Sequence, residues 1–135
     1  MEFRRLQHVS SPYPAGRQEE VRAFYGRLLS MNEVTPPVTL KDRGLVWFSS
    51  GPNSLEIHFF PGVVDPEHPR HFCLEVAHLD IVRRQLEVAG YEPYDATPIP
   101  NRPRFFCRDP FGNLLEFTTI LGDFRESEDP RLLHQ

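Results

Sequence analysis

The sequence predicts an α+β fold in which one strand–helix–strands unit occurs twice. Three observations lead there. Two stretches carry apolar residues at helical spacing, short runs with period-two alternation surround each of them, and residue patterns of the first half return in the second.

The first helix is expected over Arg17–Ser30. Its Val21, Phe24, Tyr25, Leu28 and Leu29 fall at i, i+3, i+4, i+7 and i+8, which places them on one stripe. The second is expected over Leu79–Ala89, with Asp80 as N-cap, Val82, Leu86 and Ala89 at helical spacing, and Gly90 as a left-handed stop. Strands are expected at Leu6–Ser10, near Asn32–Thr35, and at Arg43–Ser49 and Ser54–Phe60. The last two are joined by the turn Ser50-Gly51-Pro52-Asn53. In the second half they are expected at Arg70–Val76, Tyr91–Asp95, Arg104–Arg108 and Asn113–Ile120, with Asp109-Pro110-Phe111-Gly112 as a turn. The charged, proline-broken stretch after Leu121 reads as loosely packed.

The repeat is visible residue by residue. Gln7-His8-Val9 opens one half and Arg70-His71-Phe72 the other. Val46-Trp47-Phe48, a turn and Leu55-Glu56-Ile57 close the first half. Arg104-Phe105-Phe106, a turn and Leu115-Glu116-Phe117 close the second. The paired histidines stand 63 residues apart and the paired glutamates 60, a difference that loop-length changes absorb.

Composition bounds the partners. The chain has 135 residues, 39% of them hydrophobic and 25% charged, which suits one soluble domain with one core. Of its 14 prolines, ten cluster at Pro12–Pro14, Pro36–Pro37, Pro61–Pro69 and Pro98–Pro103, and they read as punctuation between elements. A net charge of −4 with scattered arginines argues against a nucleic-acid partner, which needs a clustered basic face. No apolar run matches a signal peptide or the ~20 residues of a membrane span, so a cytoplasmic protein without membrane contact is expected. Cys73 and Cys107, each in an apolar strand-like segment, are expected to be buried free thiols.

Side chains alternate along a strand, so each expected strand has two readable faces. Leu55, Ile57 and Phe59 share one face, and Glu56, His58 and Phe60 the other. Phe72, Leu74 and Val76 oppose His71, Cys73 and Glu75, while Leu115 and Phe117 oppose Leu114, Glu116 and Thr118. The apolar faces suit packing under the helices. The opposite faces share His and Glu, the donors of a divalent transition metal such as Zn, Ni, Mn or Fe(II). The candidate ligands are His8, His71 and Glu116, with Glu56 as a fourth. His58, two residues from Glu56, either replaces it or lines the pocket. An antiparallel sheet with one solvated face would show the same alternation. His68, His78 and His134 fall in loops or the tail and are read as solvated.

Four segments carry a resemblance. Arg104–Phe117, with Asp109-Pro110-Phe111-Gly112-Asn113-Leu114-Leu115-Glu116, resembles the closing hairpin of the glyoxalase/bleomycin-resistance/dioxygenase (vicinal oxygen chelate) superfamily. Phe24–Leu29 is similar to its first helix, Leu6–Val9 to its opening strand, and Arg70–Val76 to the strand that opens its second half. The likeness covers roughly residues 4–120, although the helix ends Leu29-Ser30-Met31 rather than in the usual Leu-Gly. The resemblance implies one domain over residues 1–122, built of tandem βαβββ modules (about 4–62 and 68–120) that form a curled mixed sheet around a metal-binding cavity, with a tail over 123–135. It also implies a homodimer and a small-molecule substrate. His8 and His71 match the first-strand ligands, Glu116 the last-strand glutamate, and Glu56 the fourth ligand of the lactoylglutathione lyases.

Three functions are compatible with it. In a metal-dependent lyase, isomerase or dioxygenase, the substrate is chelated through adjacent oxygens and Glu56 or Glu116 moves the proton, with His58 as an auxiliary acid or base. In a metal-free bleomycin-resistance-type module, Trp47, Phe48, Phe60, Phe106 and Phe111 line a drug groove, although ordinary core packing is their simpler explanation. In a fosfomycin-type thiol transferase, Arg102, Arg104 and Arg108 meet a phosphonate, although Arg108 beside Asp109 reads more simply as a solvated pair. The His/His/Glu set favours the first.

Overall fold

A computed structural model describes residues 1–127. They hold eight strands: β1 (His8–Tyr13), β2 (Asn32–Val34), β3 (Val46–Ser49), β4 (Glu56–Pro61), β5 (His71–Glu75), β6 (Tyr94–Asp95), β7 (Arg104–Arg108) and β8 (Leu114–Thr118). Helix α1 consists of an α-helical turn, Gln18–Val21, continued by a π-helical stretch, Arg22–Leu28. Helix α2 spans Leu79–Val88. His134 and most of the tail lie outside the described residues. No helix among the described residues is long and apolar enough to cross a membrane.

The strands form two separate four-stranded mixed sheets of the same topology, in the orders β1-β4-β3-β2 and β5-β8-β7-β6. In each, the first strand runs parallel to the last and the other pairs are antiparallel. This is the α+β class with two βαβββ modules that the internal repeat predicts. The chain forms two compact units, one of Met1–His68 with Asp109–Asn113, the other of Pro69–Arg108 with the segment that begins at Leu114.

In the first unit the core is aromatic. Tyr13, Val21, Phe24, Tyr25, Val46, Phe48, Ile57 and Phe59 are all buried. The Tyr25 ring lies 4.4 Å from Phe59 and 6.2 Å from Phe48, which seats α1 on the inner face of its sheet. The stripe expected on α1 is therefore present, but its geometry is wider than an α-helix. Leu29 N–H bonds the Phe24 carbonyl five residues back.

In the second unit Leu86, Phe105, Cys107, Leu114, Leu115 and Phe117 are buried. Helix α2 is capped by His78 rather than Asp80, which falls within the first turn, and no side chain caps it. Gly90 has φ +94°, as its role of left-handed stop requires.

Three expectations are corrected. β1 extends through Pro12 to Tyr13. As an edge strand, it tolerates a residue with no N–H to donate, so Pro12 lies inside an element rather than between two. The strand expected at Tyr91–Asp95 shrinks to Tyr94–Asp95. Cys73 is exposed, on the open face of β5, whereas Cys107 is buried as expected; both are free thiols.

The turn between β7 and β8 belongs to the first unit, and its sequence explains why. Asp109 Oδ1 accepts the backbone N–H groups of Phe111 (2.9 Å), Gly112 (3.0 Å) and Asn113 (2.9 Å). Its Oδ2 accepts the Tyr25 hydroxyl (2.7 Å) and Asn113 Nδ2 (3.0 Å), and Asn113 Nδ2 also donates to the Pro12 carbonyl (2.8 Å). Gly112 has φ +103°, and a Cβ there would stand 2.7 Å from Pro66 Cβ. Asp109 is thus buried at 4% exposure rather than solvated beside Arg108. Burial raises its carboxyl above the usual carboxylate range against the opposing pull of these hydrogen bonds.

Candidate metal centre

In each unit the His and Glu side chains gather on the sheet face opposite the helix, with a His–Glu contact between His58 and Glu56 in the first unit and between His71 and Glu116 in the second. In the first unit, register places His8 beside Glu56 across β1 and β4, and Trp47 beside His58 across β3 and β4. The His58 ring is held between two others. The His8 ring lies 4.0 Å away at 12°, and the Trp47 ring 3.7 Å away at 2°. His58 Nε2 faces Glu56 Oε1 at 2.9 Å. His8 Nδ1 lies 2.6 Å from Gln7 Oε1, an oxygen that only accepts, so Nδ1 is the donor and, in the neutral ring, Nε2 has the lone pair. The His58 hydrogen bond holds the Glu56 carboxyl below the usual carboxylate range, and Gln7 adds to the effect.

His58 was expected either to stand in for Glu56 or to line the site. An imidazole nitrogen directs its lone pair in the ring plane, and a metal sits about 2.0–2.1 Å from it. Two near-parallel rings 4.0 Å apart cannot both direct lone pairs at one ion. In this arrangement His58 is placed to orient Glu56 rather than to share an ion with His8.

In the second unit, Glu116 on β8 is flanked by groups from both neighbouring strands. His71 Nε2 on β5 faces Glu116 Oε1 at 3.0 Å, and Arg104 on β7 donates from Nη1 to Glu116 Oε2 at 3.2 Å. Cys73, directly opposite Glu116 in register, directs its thiol to the same carboxylate. Phe106 backs the group: His71 stands edge-on to its ring at 5.0 Å, and Tyr94 stacks on it at 5.7 Å.

The His71–Glu116 contact is the informative one. His71 Nδ1 lies 2.9 Å from the Pro69 carbonyl and must carry a proton to bond it. In the neutral ring the Nε2 lone pair then faces a carboxylate oxygen 3.0 Å away. A second proton can bridge the two atoms along their line, whereas a metal ion would sit off that line, with the two donors cis on it. Two adjacent donors on one ion, each at about 2.0–2.2 Å, stand about 2.9–3.4 Å apart, so the spacing suits cis ligands. Among the described residues, no group of three or more His, Cys, Asp or Glu is assembled to hold a metal ion.

Cys73 provides a local test of this electrostatic picture. Although the residue as a whole is exposed, burial around its sulfur and the Glu116 charge beside it push the thiol up to about 11. At pH 8 the protein therefore holds on the order of a hundredfold less thiolate than an unperturbed cysteine would. In metal-free protein, iodoacetamide alkylation of Cys73 should be slow at pH 8 and accelerate toward pH 11. Glu116→Gln should move that rise to lower pH. An unchanged profile in the variant would contradict the placement of the carboxylate.

Of the five aromatic residues considered for a groove, only Phe48 lies in the core. Trp47, Phe106 and Phe111 are half-buried, and Phe60 is 40% exposed. The Gln7 contact of His8 and the roles of Arg104 and Cys73 went unpredicted. The spacing of Arg104 and Cys73 on the outward faces of β7 and β5 was their available signal.

The sequence model of the Glyoxalase/Bleomycin resistance protein/Dioxygenase superfamily matches residues 5–117. The chain belongs to this superfamily. Among solved structures, a protein from Bacillus anthracis assigned to the glyoxalase family is 35% identical, with a TM-score of 0.80 over 89% of this chain and 98% of that one. A lactoylglutathione lyase from Agrobacterium tumefaciens is 20% identical, with a TM-score of 0.62 over 85% and 92%. An antibiotic binding protein from Streptomyces sp. CB03234 is 16% identical, with a TM-score of 0.66 over 89% and 98%. These two share the superfamily fold with this chain. No curated protein matches it.

Proposed function

We propose that this superfamily member is a divalent-metal-dependent enzyme of the lyase or isomerase type, acting on a small substrate chelated through adjacent oxygens. The proposed metal ligands are His8, Glu56, His71 and Glu116, and the proposed working form is a homodimer. The observation that carries this reading is the His71 Nε2–Glu116 Oε1 approach at 3.0 Å, with His71 Nδ1 committed to a backbone carbonyl. Imidazole nitrogen and carboxylate oxygen fit Zn, Ni, Mn or Fe(II).

Bound there, the ion supplies Lewis acidity toward neighbouring substrate oxygens. Glu56, held below the usual carboxylate range, stays ionised as a charged donor, and His58 fixes its orientation. Being ionised, Glu56 is also the carboxylate that would take a proton from the carbon beside the substrate carbonyl, since both Glu116 oxygens are engaged by His71 and Arg104. Trp47 and Phe106 supply apolar surface near the two pairs. A phosphonate-binding role for Arg104 is disfavoured, because its guanidinium already serves Glu116 and the Thr97 carbonyl.

Metal analysis of protein purified without chelator tests this reading. About one divalent ion per chain, lost in His8→Ala, is the expected result. Metal-free native protein that binds a cationic drug tightly would overturn it in favour of a sequestering module.

A further inference from the structure

We infer that Arg104 is a positioning residue that leaves Glu116 a single oxygen to offer a metal, an inference that rests on the proposed metal role of Glu116. Arg104 opens β7 opposite Thr118, so it sits diagonally from Glu116 on the same sheet face. Its fork is divided. Nε (3.3 Å) and Nη2 (2.9 Å) both donate to the Thr97 carbonyl, while Nη1 donates to Glu116 Oε2 at 3.2 Å. The guanidinium carbon also lies 5.6 Å from the centre of the Phe106 ring. The backbone carbonyl thus fixes the plane of the guanidinium, and that plane fixes the carboxylate.

Glu116 is 12% exposed and Arg104 18%, so water competes little for this contact. With Oε2 bonded to Arg104, Oε1 is the oxygen directed at His71 Nε2. Glu116 is thereby set as a monodentate donor with its charge partly balanced. Without the guanidinium, the carboxylate is free to turn about its terminal torsion and present both oxygens. Lysine cannot replace this arrangement, because one ammonium lacks the planar fork that holds Thr97 and Glu116 together.

The test is cobalt(II) binding to the full chain, for wild type, Arg104→Met and Arg104→Lys, read by titration calorimetry and by the visible spectrum of the loaded protein. Arg104→Met should bind about 10–100-fold more weakly, as loss of a partner to a ligand typically does. Its cobalt bands should also weaken in intensity as the carboxylate adds a second oxygen. Arg104→Lys should fall between the two in affinity. Circular dichroism separates this from misfolding, and Arg104→Lys serves as the readout if Arg104→Met does not fold. Variants that match wild type in both affinity and spectrum would overturn the positioning role while leaving the metal site intact. A wild-type protein that takes up no cobalt would overturn the functional reading and this inference with it.

Discussion

His71→Ala and Glu116→Ala should each abolish stoichiometric metal binding, with affinity falling by well over the ~10–100-fold expected when only an outer partner is removed. The reason lies in how few donors each unit presents. His71 Nε2 and Glu116 Oε1 stand 3.0 Å apart, and no third His, Cys, Asp or Glu among the described residues completes a metal-holding group with them, so losing either leaves a single donor there. Titration calorimetry with zinc or cobalt on metal-stripped protein provides the measurement. A Glu116→Ala variant that keeps near wild-type affinity would rule out that carboxylate as a ligand.

The second large effect concerns stability. Asp109 is almost fully buried and accepts five hydrogen bonds: three from backbone N–H groups, one from the Tyr25 hydroxyl and one from Asn113 Nδ2. Asp109→Ala removes an acceptor from all five donors. Asn113 Nδ2 keeps the Pro12 carbonyl and the Gly112 N–H keeps the backbone carbonyl of residue 109, but the Tyr25 hydroxyl and two N–H groups lose the carboxylate they donate to. The substitution should cost about 3–5 kcal/mol, at the upper end for one substitution. For a chain of this size that corresponds to a drop in melting temperature of roughly 10–20 °C. Asp109→Asn, which retains one acceptor oxygen, should lose less.

The pH dependence has a definite sign. Burial raises the folded-state carboxyl above its ordinary value of 3.8, so its contribution is fully present below that pH and is lost as pH rises through the folded value. The advantage of wild type over Asp109→Asn should therefore narrow as pH is raised from about 4. Urea unfolding of both proteins at several pH values measures it, and a gap that widens would contradict the burial assignment.

Much of this fold is legible in the sequence because strand alternation is a local property. Ile57 and Phe59 turn inward and Glu56 and His58 outward on β4, as their period-two spacing requires. The repeat likewise fixes matching strand orders in the two halves. The misses have non-local causes. Apolar neighbours predict a buried Cys73, but the outward set of β5 includes it, so face outweighs local hydropathy. Asp109 beside Arg108 looks like a surface pair, yet its true partner, Tyr25, lies 84 residues away. The π-helical widening of α1 leaves the same apolar stripe as an ordinary helix, so spacing cannot distinguish them. At the site, His71 and Glu116 follow from the repeat. The division of Arg104 between Thr97 and Glu116 depends on a loop carbonyl that no pattern announces.

The placement of residues 109–113 in the first unit bears on the order in which the protein is made. Tyr25 and Pro12 leave the ribosome first, and the groups that complete them, Asp109 and Asn113, are translated 84 and 101 residues later. At ordinary elongation speeds of about 5–20 residues per second, the nascent N-terminal half waits on the order of several seconds for its buried hydroxyl to gain an acceptor. A chain released before Asp109 lacks that closure altogether.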